Sequence, residues 1–252
     1  MTETRIFGRF VTKERQVLAY QMSLDTPADV AMILPIPVVQ PAKEDAVKFI
    51  DLSGYQDFFS DLEKGFPTRS YSKGGVSPGS LPDTDRKPLK VHAVGSFDAS
   101  FVPTVKDFGR LDARFRLPKG TWDKLPQFSN YGFAVFKLKK GNEEVHPMAF
   151  SFPSRFKRGN VYKERVYFPT VHIHDGKVHL QEKFDHTLYA QASPKAGFRM
   201  NEKWVESGSL ASNFTSPEKS QGLIWDKGHV YRKRVVGLQK NEDVIAQAVA
   251  MG

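Results

Sequence analysis

The sequence predicts a β-rich α+β fold, in which antiparallel hairpins and a meander form most of the chain and a few short helices pack on one side. Phenylalanine is frequent, at 20 of 252 residues, and large aromatic rings favour the half-buried surface of a sheet. Apolar and polar residues alternate in many short runs, and turn-forming residues separate several of these runs. A chain of this length buries enough apolar surface to fold without a metal, so we expect a single domain over 1–252.

Three strand-like runs open the chain and predict a meander. They lie at 5–11, 16–25 and 30–39. The third run is almost continuously apolar, but it contains Pro35 and Pro37, which have no N–H to donate to a sheet. We therefore expect its second half to be an edge, a bulge or a strand exit.

The next segment, 54–64, has the strongest helical pattern of the chain. Its large apolar residues recur at the three- and four-residue spacing of one helix face. These residues are Tyr55, Phe58, Phe59 and Leu62. Ser53 and Gln56 have the spacing of a capping box at the start of the helix, and Gly65 suits a left-handed C′ position at its end. We expect the apolar face to be buried in the core.

A loop and further strands follow this helix. Residues 66–88 are rich in Gly, Pro and Ser, which predicts a long loop within the domain. Strand character returns at 89–103, and Thr104 and Thr121 each precede a short helical turn. Three antiparallel hairpins are then predicted, at 131–152, 167–184 and 222–238. We also expect a short C-terminal helix capped by Asn241. Its apolar residues are Val244, Ile245, Ala248 and Val249.

The formal charge of +9 is unevenly distributed along the chain. Residues 137–166 hold eight Lys or Arg against three Glu, and residues 227–240 hold five without an acid. If these segments adjoin, the protein has one basic side, which would attract a polyanion such as nucleic acid, or another anionic ligand. The candidate anion-binding residues are Arg155, Lys157, Arg158, Arg232 and Arg234. The alternative is a merely solvated basic face, since Lys and Arg also protect sheet edges from unwanted pairing.

Histidines are concentrated in the segment 171–180. The turn Asp175–Gly176 sets the register of a hairpin in which apolar residues share one face. The opposite face carries His172, His174 and His179, close enough across the hairpin to bind one divalent, zinc-like metal ion. Two other roles stay open for these histidines, which are binding of an anion or substrate and plain surface packing.

Several classes of protein and of site are excluded. The chain has no cysteine, which rules out disulfides, thiolate catalysis and Cys-ligated metal sites. No window approaches the ~18–20 apolar residues of a membrane-spanning helix, and the first residues lack the apolar core of a signal peptide. We therefore expect a cytoplasmic protein without membrane insertion. The segment Gly75–Gly79 matches a nucleophile elbow, but Pro78 follows its serine and offers no N–H to an oxyanion hole.

Four phrases of the sequence together resemble an uncharacterised family of bacterial proteins of unknown function. They are FVPTVKDFGRLDARFRLP (101–118), YGFAVFKLK (131–139), HPMAFSFP (146–153) and YFPTVHIHDGKVH (167–179). The resemblance covers roughly the C-terminal two thirds of the chain. It implies no activity, cofactor or catalytic residue, and suggests only that proline at strand ends and the HIHDG turn are family features.

Two functions follow from these patterns as expectations. The first is a non-catalytic, intracellular binding or interaction protein with a basic face. The second is a metal-dependent, His-ligated enzyme, a hydrolase, centred on the hairpin at 172–179, in which the ion activates water. The sequence does not decide whether the protein is an enzyme, and it identifies neither partner nor substrate.

Overall fold

The computed structural model describes eleven stretches of the chain. They are residues 3–22, 31–66, 91–95, 97–111, 122, 125–138, 146–156, 163–172, 179–192, 198–200 and 203–250. Strands dominate these residues, which confirms the predicted β-rich α+β class. Among them, no helix is long and apolar enough to cross a membrane.

The strands are numbered in chain order. They are β1 (Thr4–Phe10), β2 (Arg15–Met22), β3 (Ala31–Ile36), β4 (Lys48–Ile50), β5 (Val91–Val94), β6 (Phe97–Val102), β7 (Gly132–Leu138), β8 (Met148–Pro153), β9 (Lys163–Phe168), β10 (Gln181–Ala190), β11 (Phe198–Met200), β12 (Val205–Glu206), β13 (Tyr231–Lys240) and β14 (Val244–Ala250). The helices are the α-helix α1 (Phe58–Lys64) and 3-10 helices at Val105–Arg110, Pro126–Phe128 and Ala211–Asn213.

The strands form three sheets. The largest has seven strands in the order β12-β13-β10-β1-β2-β8-β4, the second has the order β3-β7-β6-β5, and the third has the order β11-β14-β9. In the described chain every strand pair is antiparallel except β1 with β10, which is parallel. The parallel pair brings the N-terminal hairpin against the long strand β10, and so places β10 and β13 at one side of the sheet.

The seven-stranded sheet is covered on both faces. On β1, Ile6 and Phe7 point to opposite faces and both are fully buried. Ile6 belongs to the large core shared with the four-stranded sheet, whereas Phe7 packs in a second core with α1. A strand buried on both faces loses the alternation of apolar and polar residues that marks a half-exposed strand. This explains why β2 contains the uninterrupted apolar run 17–20.

The α-helix confirms the predicted apolar face and corrects its ends. Tyr55, Phe58, Phe59 and Leu62 are all buried. The helix begins at Phe58 after Asp57, and Ser53 makes no capping box because its N–H donates to Asp51 in a preceding turn. Gly65 is right-handed, at φ −66°, so a left-handed cap is not the reason for glycine here. A Cβ at Gly65 would lie 2.6 Å from the ring of Phe214, and the close approach of that ring is the reason.

The three predicted hairpins are wrong in their pairing. β7 pairs with β3 and β6, and β8 pairs with β2 and β4, so 131–152 is not a hairpin. β9 pairs with β14, whereas β10 pairs with β1 and β13, which separates the two halves of 167–184. β13 pairs with β10 and β12, and 222–225 is not a strand. A turn signal governs only the backbone beside it, whereas long pairings between distant strands bury more apolar surface.

The predicted C-terminal helix is also wrong, because its residues form β14. This strand pairs with β9 along most of its length and with β11 at its end. Burial alternates along it, with Ala246 and Ala248 buried and Ile245 and Gln247 exposed. That period of two is typical of a strand, and the β-branched residues Val and Ile favour it over a helix. Tertiary pairing therefore overrides the cap suggested by Asn241.

The N-terminal predictions agree better with the structure. β1 and β2 form an antiparallel hairpin, but the predicted meander is wrong for the third run, because β3 pairs with β7 in the four-stranded sheet. There β3 is an edge strand, as its prolines predicted, with Pro35 opposite Phe133. A second hairpin joins β5 and β6, and a 3-10 helix follows Thr104 as expected. Residues 67–90, which include most of the predicted loop, and Thr121 lie outside the described residues.

Candidate functional site

A groove of about 600 Å³ lies beside β13, the strand that contains the run Tyr-Arg-Lys-Arg. We call it the β13 groove. Its apolar lining comes from Phe184, Val235 and Val244. Its basic lining comes from Lys233, Arg234 and Lys240. An apolar floor with a cationic rim can bind a partner that is both anionic and partly apolar.

The groove exists because β13 and β14 follow one another but belong to different sheets. Asp243 anchors the turn between them: its carboxylate accepts from the N–H groups of Thr170 and Val171 at 2.9 and 3.0 Å, and from the hydroxyl of Tyr167 at 2.7 Å. Burial raises the pKa of Asp243 to about 6. Asn241 completes the anchor through its own N–H, which donates to the carbonyl of Leu180. These bonds hold β14 against β9 and away from β13.

Lys233 lies on the side of β13 that faces the core. Its partner in the antiparallel register is Leu188, which is fully buried in the large core, so the stem of Lys233 is half-buried. Burial lowers the pKa of Lys233, and the positive charge of Lys203 lowers it further. Within the described chain, Lys233 makes no ion pair, and no acidic group there opposes these two effects. The groove is therefore lined by a half-buried lysine whose charged form is disfavoured.

The other cations of the groove have weak acidic partners. The guanidinium of Arg234 is 3.9 Å from the carboxylate of Asp185, and both side chains are about half exposed. Lys240 pairs with Glu242, and these side chains are more exposed still. Solvent-exposed pairs of this kind contribute about 0–1 kcal/mol. Both cations can therefore exchange their present partners for a bound anion at small cost.

The described members of the predicted anion-binding set occupy two surfaces. The guanidinium of Arg155 lies 4.5 Å from the ring centre of Tyr131, beyond the end of β8. Arg232 and Arg234 are on β13, which is four strands away from β8 in the same sheet, or roughly 19 Å at the usual strand spacing. Arg232 also turns away from the groove, pairing with Glu63 of α1. Lys157 and Arg158 lie outside the described residues.

The buried His186 and the half-buried His172 form a pair beside the groove. Their Nε2 atoms are 3.1 Å apart, and the ring of His172 stacks on Phe184 with 4.6 Å between ring centres. Burial, together with the charge that His172 can carry, lowers the pKa of His186 to about 4. His186 is therefore neutral near pH 7, and the two rings share one hydrogen bond. Because Phe184 also lines the groove, the pair supports the apolar floor.

The predicted metal site is described only in part, because His174 lies outside the described residues. His179 is exposed, and the ring of His172 packs on His186 and Phe184. Over the residues that the structure describes, no three His, Asp or Glu side chains are arranged to hold a metal ion. Nδ1 of His186 is buried without a hydrogen bond to that part of the chain, whereas metal-bound imidazoles usually donate from their second nitrogen. The zinc-like site and the hydrolase stay predictions.

Sequence reasoning missed several residues that form the groove. Lys233 and Lys240 belong to the basic segment that the sequence shows, but nothing local marks them as groove residues. Lys203 comes close to Lys233 because β12, two residues later, pairs with the start of β13. Asp243 follows Asn241 and Glu242 after a basic run, and this segment resembled a helix start. The signal that could have identified the turn is the strand preference of the β-branched residues at 244, 245 and 249.

Comparisons with known proteins assign no family. No family model matches the chain, and no curated protein matches it. Among solved structures, a mutated baculovirus P35 after caspase cleavage is 16% identical over 98% of this chain and 99% of its own, with a TM-score of 0.49. Baculovirus P35 itself is 15% identical over 98% and 96%, with a TM-score of 0.48. The caspase-8/P35 complex gives 13% identity over 100% and 97%, with a TM-score of 0.46. A likeness this distant assigns no function, and the resemblance to a bacterial family stays a prediction.

Proposed function

We propose that this protein is a non-catalytic binding protein that holds an anionic partner in the β13 groove. The observation that supports this most directly is the half-buried Lys233 in the lining of the groove, which makes no ion pair within the described chain. Burial and a neighbouring like charge both disfavour the charged form of a lysine, and both lower the pKa of Lys233. A bound anion would favour the charged form of Lys233, which gives the arrangement a physical reason.

The remaining cations of the groove strengthen the proposal. Arg234 and Lys240 line the same groove, and their present partners are exposed acids that hold them weakly. An anion in the groove would meet three cations on one strand, with the apolar floor excluding water on one side. Lower water content strengthens each charge–charge interaction. Affinity in such a site comes from several modest interactions acting together.

The chemistry of the lining favours binding over catalysis. The Thr170 hydroxyl is occupied, since it donates to the carbonyl of Glu242 at 2.8 Å. Glu242 is paired with Lys240. An activated nucleophile needs a base within hydrogen-bonding reach, and neither of these groups offers that pairing. Apart from the engaged hydroxyl of Thr170 and the paired carboxylate of Glu242, the groove residues supply cations, an amide and apolar surface, which suit recognition.

The test is binding of two anionic probes, polyglutamate and heparin, measured by titration calorimetry at low and high salt. Lys233→Gln should weaken binding by about tenfold if one close charge–charge contact is lost. The matched control is Lys48→Gln, which removes an exposed lysine from β4 at the opposite edge of the same sheet. Binding should also weaken with salt, because counterions are released from the partner. Failure of both probes to bind at low salt, or equal effects of the two variants, would overturn the proposal.

A further inference from the structure

Most of β13 has a strand partner on one edge only. β10 pairs with all ten residues of β13, but β12 pairs only with Tyr231 and Arg232 on the other side. Within the described chain, residues 233–240 therefore present an unpaired edge. A carbonyl on this strand, that of Val236, accepts from the side chain of Gln239 at 3.1 Å rather than from a strand. An edge of this length is a template for pairing with another segment.

β14 borders the same space from the other side. Its residues 244–247 pair with β9 on one edge, while β11 reaches only its last three residues on the other. Both ends of β14 are connected to β13. A three-residue turn joins the end of β13 at Lys240 to the start of β14. At the other end of β14, its partner β11 lies a few residues before β12, which pairs with the start of β13. The β13 groove thus runs along the unpaired edge of β13 and reaches β14 at Val244. A groove along an unpaired strand edge suits an extended chain.

Apolar side chains are exposed on β13 where no partner covers them. Val236 is 49% exposed and Leu238 is 67% exposed, and by strand alternation they lie on the face opposite Lys233 and Val235. Both faces of the edge therefore combine an apolar residue with a cation, since Arg234 shares the face of Val236. Gly237, at φ +86°, interrupts the regular strand, so pairing over 233–236 is favoured.

We infer that the groove accepts an extended acidic segment of another protein, which adds to β13 as a further strand. This inference rests on the proposed function and specifies its partner. Main-chain groups of the edge would hold the segment, acidic side chains on one of its faces would meet Lys233, and apolar side chains on its other face would cover Val236 and Leu238. Nucleic acid fits less well, because single strands bind by stacking bases on exposed rings, and the aromatic ring of the groove, Phe184, is 2% exposed.

The test compares three fluorescent probes by anisotropy on the full chain. The first is a peptide of alternating Glu and Val, about as long as the unpaired edge over 233–240. The second has the same sequence with alternate backbone nitrogens methylated, which preserves its charge and removes its main-chain donors. The third is a single-stranded oligonucleotide. The methylated peptide should bind about tenfold more weakly than the parent peptide, and Lys233→Gln should weaken the parent peptide relative to Lys48→Gln.

The outcomes separate strand addition to β13 from anion binding in the β13 groove. A loss on methylation together with a loss in Lys233→Gln supports strand addition. Equal binding of the two peptides, with the loss in Lys233→Gln retained, overturns strand addition and leaves the anionic groove standing. Binding of the oligonucleotide alone overturns the protein partner and also leaves the groove standing. Binding of none of the three probes overturns both.

Discussion

Replacing His186 with glutamine should change how the stability of the protein depends on pH. His186 is 1% exposed on β10 and is hydrogen-bonded through Nε2 to His172. Burial, followed by the charge that His172 can carry, lowers the pKa of His186 to about 4. Glutamine keeps a polar side chain of similar reach and does not titrate. Comparison with this variant therefore separates the effect of protonating His186 on stability from the effect of its packing.

The size of the effect follows from the two pKa values of His186. An unfolded histidine has a pKa of about 6.5, so between about pH 6.5 and pH 4 the unfolded chain binds a proton that the folded chain refuses. The contribution of His186 to stability is present above the unfolded pKa and is lost as the pH falls through this window. A difference of roughly 2.5 pKa units at 1.36 kcal/mol each amounts to about 3 kcal/mol.

Urea unfolding between about pH 7 and pH 4, followed by the fluorescence of the three tryptophans, measures this directly. The free energy of unfolding of the wild type should fall relative to that of His186→Gln, and the gap between them should change by about 3 kcal/mol over the range. His179→Gln is the matched control, because it removes an exposed histidine from the same region. Parallel pH curves for the wild type and His186→Gln would refute the reasoning.

Three further changes test the core and the turn. Phe58→Ala should cost about 3–5 kcal/mol of unfolding free energy, because the ring is fully buried against the seven-stranded sheet; a loss below about 1 kcal/mol in urea unfolding would contradict that packing. Gly65→Ala should cost about 1–3 kcal/mol through collision with the ring of Phe214, whereas Gly54→Ala, whose Cβ meets no atom within 4 Å, should be close to neutral in the same assay. Asp243→Asn removes a carboxyl group whose pKa in the folded protein is raised to about 6. The contribution of this carboxyl group to stability is complete below its unfolded pKa of 3.8 and is lost as the pH rises through 6. The variant should therefore gain about 2 kcal/mol relative to the wild type between about pH 4 and pH 7 in urea titrations, and a constant difference would exclude this effect.

Features that depend on nearby residues could be predicted from the sequence, whereas the pairing of distant strands could not. Spacing within a few residues is enough to identify the buried face of α1 and the hairpin of β1 and β2, since both depend on neighbours in sequence. Partner choice is different: Tyr167 on β9 faces Ile245 on β14, nearly eighty residues later. No residue pattern near Asp175 and Gly176 in the sequence specifies that pairing. Hydrophobic strands of similar length are interchangeable at the sequence level, and their packing decides between them.

The candidate site shows the same limit. The basic run in β13 is visible in the sequence, and so is the histidine cluster that contains His172. The interactions that give these residues a role are long-range in sequence, because the charge of Lys203 acts on Lys233 from thirty residues earlier. His186 likewise contacts His172 from the other side of a segment outside the described residues. Charge counting therefore identifies β13 as a basic strand, while the groove beside it depends on the arrangement of the sheets.

The central claim is that an anionic partner binds in the β13 groove, and amide chemical-shift mapping by NMR during titration with polyglutamate tests it most directly. We expect shifts concentrated on residues 233–240, with smaller ones at Thr170 and Val244, and their loss in Lys233→Gln. Shifts concentrated instead around Tyr131 and Arg155, or no shifts at low salt, would contradict it.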